Sequence, residues 1–116
     1  MKKISIISIP VTDQQRAKEF YLKAGFKLMV ETQAGPGQTW IQLGLPGAET
    51  SITLVNWFPQ MPAGSVRGLV VDTADIEQEI KNMQANGIEP GPIEQTPWGR
   101  FATVKDPDGN AFSLHQ

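Results

Sequence analysis

The sequence has 116 residues, of which 40% are hydrophobic and 19% charged, and its formal net charge is −2. This length predicts one domain with a buried core. The small and scattered charge excludes the basic surface of a nucleic-acid-binding protein and a polybasic membrane patch. We therefore expect neither nucleic acid nor membrane among its partners.

The chain contains no cysteine and a single histidine, His115. The absence of cysteine excludes disulfides, thiol nucleophiles and thiolate metal sites, and it fits a cytoplasmic location. No apolar stretch approaches the roughly 20 residues of a membrane span, and no signal-peptide pattern is present.

The first half of the chain has a βαβββ pattern. Alternation predicts a strand at residues 2–10, and isoleucines on both of its faces indicate a central position in a sheet. Thr12 or Asp13 is expected to cap the helix that follows, and Gly25 to end it in the left-handed conformation. A glycine-containing loop is expected at residues 33–37. Further strands are predicted at residues 26–32, 39–44 and 51–56.

The same pattern restarts in the second half. Asp75 and Gly87 are 12 residues apart, as Asp13 and Gly25 are, and each lies 62 positions beyond its counterpart. A fixed period of this kind indicates duplication of one supersecondary unit.

The predicted domain is therefore α+β, with two tandem βαβββ modules. The first module covers residues 1–56, residues 57–65 form a linker without periodicity, and the second module covers residues 66–116. Neither half has enough apolar surface to fold alone. We expect the two four-stranded sheets to meet, with the helices outside and a cavity between the sheets.

The second module ends in a predicted hairpin. Two alternating runs flank Asp106-Pro107-Asp108-Gly109-Asn110. Asp106 is suited to cap the turn, Pro107 fixes the second position, and Gly109 supplies the positive φ of a type I turn with a bulge.

These features together resemble the vicinal oxygen chelate superfamily of glyoxalase I, fosfomycin-resistance proteins, extradiol dioxygenases and bleomycin-resistance proteins. The resemblance covers essentially the whole chain. It is carried by the paired βαβββ layout and by Val11-Thr12-Asp13, Phe20-Tyr21, Ala24-Gly25-Phe26, Pro97-Trp98-Gly99-Arg100 and the Asp106–Asn110 turn. Such capping, turn and packing residues specify a fold rather than a reaction.

The resemblance also implies where metal ligands would lie. The four positions that hold His, Gln or Glu in metal-dependent members are occupied here by Ile6, Thr53, Gly68 and Ser113. Divalent ions of this chemistry prefer imidazole and carboxylate ligands, and two of these residues offer no side-chain donor. We therefore expect no cofactor, although a divalent metal is not excluded.

The remaining expectation is a small molecule bound in the cavity between the sheets. Such pockets are mostly apolar, with a few polar groups, and three tryptophans suit a flat or cationic ligand. The predicted ligand-binding residues are Trp40, Gln42, Thr53, Trp98, Phe101, Thr103, Ser113 and His115.

Two alternatives stay open at this point. One is a metal-dependent lyase or dioxygenase with an unusual ligand set, such as His115 with Glu31 or Glu49. The other is a non-catalytic dimeric interaction module whose cavity is filled. The resemblance and the exposed sheet edges both predict a homodimer, either side by side or with exchanged modules.

Overall fold

The computed structural model describes residues 1–116 and contains eight strands and two helices. In the first module these are β1 (Ile6–Pro10), α1 (Gln14–Ala24), β2 (Lys27–Gly35), β3 (Gln38–Gly44) and β4 (Ser51–Val55). In the second they are β5 (Leu69–Asp72), α2 (Ile76–Ala85), β6 (Glu94–Thr96), β7 (Gly99–Lys105) and β8 (Ala111–His115). Neither α1 nor α2 has the length and apolar character of a membrane-spanning helix.

Each module forms its own four-stranded sheet, and the two sheets have the same topology. The strand orders are β1-β4-β3-β2 and β5-β8-β7-β6, with the first strand of each module parallel to the last and the other pairs antiparallel. The two βαβββ modules predicted from the sequence are confirmed.

The position expected for the first strand is wrong, because β1 lies at a sheet edge and pairs only with β4. Its isoleucines on opposite faces have different surroundings. Ile9 is 1% exposed in the core, whereas Ile6 is 40% exposed on the opposite face. An isoleucine on the face away from the core, such as Ile6, thus indicates an uncovered surface rather than a central position of the strand.

Both helices begin at the predicted aspartates. The Asp13 carboxylate accepts hydrogen bonds from the backbone N–H groups of Gln15 and Arg16, and Asp75 accepts one from Gln78. Thr12 is not the cap, since its backbone N–H and hydroxyl both donate to Asp108. Gly25 ends α1 with φ of 117°.

Two predicted boundaries differ from the structure. Strand β1 covers only the end of the range 2–10, and β2 continues through residues 33–35, which were expected to form a loop. The antiparallel pairing of Gly35 with Gln38 leaves just two residues, Pro36 and Gly37, for the turn. Hairpin pairing therefore overrides the low strand propensity of the glycine-containing segment.

One core joins both modules. Of its 17 buried residues, three lie in connections and the others come from the helices and from one face of each sheet. On α1, Ala17 and Tyr21 are 0% and 3% exposed, and on α2, Ile76 and Met83 are 0% and 3% exposed. The helices thus belong to the shared core, and it is the sheet faces turned away from them that stay partly exposed.

The turn of residues 106–110, called here the clamp turn, connects the two modules. Asp106 is 5% exposed, and its carboxylate accepts hydrogen bonds from the Tyr21 hydroxyl at 2.9 Å and from the Asn110 side-chain amide at 2.8 Å. The same amide donates to the Pro10 carbonyl at 2.8 Å. Burial, reinforced by the Asp106 carboxylate, raises the pKa of Tyr21 far above its usual value, so this hydroxyl keeps its proton.

Candidate functional site

The sheet faces turned away from the core are called here the outer faces. The first outer face contains Ile6 and Ser8 of β1, Val30 of β2, Trp40 and Gln42 of β3, and Thr53 of β4, as the strand registers show. The second outer face contains Val70 and Asp72 of β5, Phe101 and Thr103 of β7, and Ser113 and His115 of β8.

Polar side chains on the first outer face are linked by hydrogen bonds. The Trp40 indole N–H donates to Gln42 Oε1 at 3.1 Å, and Gln42 Nε2 donates to Ser51 Oγ at 2.8 Å. The Ser8 and Thr53 hydroxyls are 3.4 Å apart. This network fixes the half-buried Trp40 indole on the sheet, and Ile6 and Val30 add exposed apolar side chains to the same face.

The second outer face is organised around His115. Its Nδ1 lies 2.7 Å from Asp72 Oδ1, and its Nε2 lies 2.8 Å from the Trp98 carbonyl oxygen. The Phe101 ring packs on the imidazole with ring centroids 4.7 Å apart. The hydrogen bond to Asp72, followed by the contact with the Trp98 carbonyl, raises the pKa of His115 above its ordinary value of 6.5.

Trp98 lies in the turn between β6 and β7, and its side chain is 80% exposed, more than any other aromatic residue. Both the backbone N–H and the backbone carbonyl of Trp98 have hydrogen-bond partners. The N–H donates to Thr96 Oγ1 at 3.1 Å, and the carbonyl contacts His115. The indole therefore projects from a fixed point at the end of the second outer face.

An apolar cleft of about 330 Å³ lies between the modules, lined mostly by residues that face the core and bordered by Val70 and Asp72 of the second outer face. Thirteen of its 16 lining residues are hydrophobic, among them Ile7 of β1, Ile52 of β4, Val71 of β5 and Phe112 of β8. Its volume lies at the low end of the range for small-molecule sites. These residues were not in the predicted set, because in the sequence they show only the alternation expected of core positions.

The eight predicted ligand-binding residues fall into two groups, and none lines this cleft. Trp40, Gln42 and Thr53 come together on the first outer face. The others belong to the second outer face and to the turn beside it: Trp98, Phe101, Thr103, Ser113 and His115. No hydrogen bond joins the two groups, so their role in binding stays a prediction.

The residues at the four positions of the family's metal ligands do not fit a divalent metal ion. Ile6 and Thr53 lie on the first sheet, whereas Gly68 precedes β5 and Ser113 lies on β8. Neither Ile6 nor Gly68 has a donor, and the two hydroxyls are neutral, weak ligands. Gly68 also has φ of 85°, a conformation that a histidine at this position would adopt only with strain.

The alternative ligand set predicted from the sequence was His115 with Glu31 or Glu49. Glu49 is an exposed residue between β3 and β4, and the other two side chains have partners of their own. His115 is bound by Asp72 and the Trp98 carbonyl, and Glu31 accepts hydrogen bonds from Lys18 and Gln15. These contacts lower the pKa of Glu31. No three His, Asp or Glu side chains converge in the geometry of a metal site.

Comparisons with known proteins agree with this architecture. The family model for the Glyoxalase/Bleomycin resistance protein/Dioxygenase superfamily matches residues 3–114, and the chain belongs to this superfamily. Among curated proteins, YetH of Bacillus subtilis (strain 168), described as uncharacterized, is 34% identical over 122 residues, covering 100% of this chain and 99% of YetH.

Solved structures give the same fold. TnmS3, described as an antibiotic binding protein from Streptomyces sp. CB03234, is 42% identical, with a TM-score of 0.93 and coverage of 100% of this chain and 96% of TnmS3. A glyoxalase/bleomycin resistance protein from the same strain is also 42% identical, with a TM-score of 0.88 and coverage of 98% and 100%.

Proposed function

We propose that the protein binds a small organic molecule of the antibiotic kind, without a metal ion and without transforming it. The full-length similarity to an antibiotic binding protein, at 42% identity and a TM-score of 0.93, carries the proposal. The donor-poor residues at the four metal-ligand positions support the metal-free form of it. No observation favours the lyase or dioxygenase alternative.

The outer faces are the proposed binding surfaces. Trp40 on the first and Phe101 on the second supply aromatic rings next to polar groups whose positions are fixed by hydrogen bonds. Aromatic rings beside a few oriented polar groups are typical of sites for planar, partly polar ligands. The alternative location is the inter-module cleft, whose lining is almost wholly apolar.

Replacing Trp40 by alanine is expected to weaken ligand binding by up to about 10-fold, because a stacking aromatic pair contributes roughly 0.5–1.5 kcal/mol. A panel of natural-product antibiotics is titrated in EDTA while tryptophan fluorescence is followed. Leu22→Ala, which truncates a 40% exposed side chain on α1, serves as the control and should bind like the wild type.

Two results would contradict the proposal. One is that no member of the panel binds the wild-type protein. The other is that binding occurs only when a divalent ion replaces EDTA, which would return the metal-dependent alternative. Equal loss of affinity in both variants would refute the location on the first outer face, and unchanged affinity in Trp40→Ala would favour the cleft.

We further propose that the protein is a homodimer in which a second copy contacts the edge strands β1 and β5 and leaves the remainder of the outer faces to the ligand. Strands β1 and β5 each pair on one side only, and unpaired sheet edges favour association. Ile6 and Val70, which lie on these edge strands, are 40% and 55% exposed. Exposed apolar side chains on an edge strand are typical of a surface that a partner covers.

The substitution Ile6→Lys is expected to convert the dimer to a monomer, since it places a charge in the proposed interface. The matched control is Leu22→Lys, because Leu22 has the same exposed fraction of 40% but lies on the helix. Light scattering coupled to gel filtration measures both masses. A monomeric wild type would refute the dimer, and the same mass for both variants would refute an interface at Ile6.

A further inference from the structure

The imidazole of His115 contacts two hydrogen-bond acceptors. Nδ1 faces a carboxylate oxygen of Asp72 at 2.7 Å, and Nε2 faces the backbone carbonyl oxygen of Trp98 at 2.8 Å. A carbonyl oxygen has no proton to donate, and neither has an ionised carboxylate. Both hydrogen bonds therefore form together only when the ring bears a proton on each nitrogen, as an imidazolium.

The surroundings of the ring fit this charged state. The Phe101 ring lies 4.7 Å away, centroid to centroid, within the range of a cation–π contact. Gly99 leaves the space that the imidazole needs, because a Cβ at this position would lie 2.7 Å from Nε2. The ring thus occupies a slot formed by β5, β7 and the turn that contains Trp98.

Among the charged side chains on the neighbouring elements, only that of Asp72 contacts the imidazolium. Glu94 of β6 is exposed and pairs with Phe101 on the far side of that ring, and Lys105 lies further along β7. Arg100 faces the other side of the sheet, where it pairs with Glu77 of α2. Asp72 of β5 is the acidic side chain in direct contact.

We propose that His115 is a proton-dependent positioning residue, which in its imidazolium form holds the Trp98 turn and thereby fixes the exposed indole beside the second outer face. A neutral ring retains one proton, and the carboxylate is the stronger acceptor. The proton therefore leaves Nε2, and its lone pair then faces the lone pairs of the Trp98 carbonyl. The Trp98 backbone then keeps its N–H bond to Thr96, and the turn is held otherwise by the pairing of its flanking strands.

The sign of the pH dependence follows from the raised pKa of His115. The stabilisation of the turn is fully present below pH 6.5, the ordinary value for histidine, and it is lost as the pH rises through the higher pKa of the folded state. The inference deepens the proposed function, on which the ligand-binding role of Trp98 rests. The state of the turn itself is measurable without a ligand.

The experiment is an NMR titration of the unliganded protein with ¹⁵N-labelled histidine and tryptophan. Because the chain has one histidine, its two ring nitrogens give a single pair of signals. We expect imidazolium shifts that persist above pH 6.5. The Trp98 indole signal, assigned with Trp98→Phe, should change with the same midpoint, while those of Trp40 and Trp57 stay constant.

The variant Asp72→Asn tests whether the protonation of His115, rather than the presence of its side chain alone, positions the Trp98 turn. Asparagine keeps a side-chain oxygen that accepts the Nδ1 hydrogen bond but removes the negative charge. The His115 midpoint should therefore fall, and the change in the Trp98 signal should fall with it. Midpoints that move together support the inference.

A neutral imidazole at pH 6 would overturn the inference, and so would a Trp98 signal that does not follow the His115 titration. Neither result depends on a ligand. A failure of the antibiotic titrations would refute the proposed function and leave this inference intact, so the two failures are distinguishable.

Discussion

Replacing Asp106 by alanine is expected to lower the free energy of unfolding by about 3 kcal/mol or more. The carboxylate is 5% exposed and accepts hydrogen bonds from the Tyr21 hydroxyl, from the Asp108 and Asn110 backbone N–H groups, and from the Asn110 side chain. Its loss leaves several donors in the clamp turn unsatisfied, and a buried donor without a partner costs roughly 1–3 kcal/mol. Urea unfolding followed by circular dichroism measures the change.

Tyr21→Phe is the graded comparison for this variant. It removes one of the four hydrogen bonds to Asp106 and keeps the ring, which packs against Phe20, Phe26 and Phe112. A loss of about 1 kcal/mol is expected, since a single buried hydrogen bond contributes that much. If Asp106→Ala were no more destabilised than Tyr21→Phe, the clamp turn would not be what holds the modules together.

Gly64→Ala is expected to destabilise the protein by about 3 kcal/mol or more. Gly64 has φ of 83°, and a Cβ at this position would lie 2.1 Å from the Asp108 carbonyl oxygen. Positive φ alone costs a non-glycine residue roughly 1–2 kcal/mol. The clash adds to this because the Asp108 backbone is held in the clamp turn and has no free direction in which to move.

The matched control is Gly47→Ala. Gly47 has φ of 77°, close to that of Gly64, but no atom lies within 4 Å of the position of its Cβ. The control therefore reports the conformational cost alone, roughly 1–2 kcal/mol. Equal destabilisation of the two variants in urea unfolding would show that the contact between the linker and Asp108 is absent.

The duplicated architecture was predictable because its signals are local. The Asp13 and Asp75 caps and the Gly25 end of α1 act on their own helices, and the period of 62 residues repeats them. The edge position of β1 was not predictable from alternation. Apolar side chains on both faces of a strand do not distinguish a strand covered twice within one chain from an edge strand with an uncovered face.

The candidate site was predictable only in part. Alternation placed Phe101 and Thr103 on the same face, and the hairpin register brings Ser113 and His115 beside them. The contact of His115 with Asp72 depends on the parallel pairing of β5 with β8. Its contact with Trp98 depends on where the turn between β6 and β7 places the Trp98 carbonyl. Such contacts come from tertiary packing, which sequence periodicity does not specify.

Because of the clamp turn, equivalent connections in the two modules differ in how much change in length and composition they tolerate. The corresponding β3–β4 connection of the first module, residues 45–50, contains an open glycine and exposed side chains, whereas Asp106 and Asn110 are 5% and 2% exposed. The two connections are therefore under unequal structural constraint. Insertions and grafted peptides are expected to be tolerated at residues 46–49, which are exposed, whereas residues 106–110 should admit little change in length or composition.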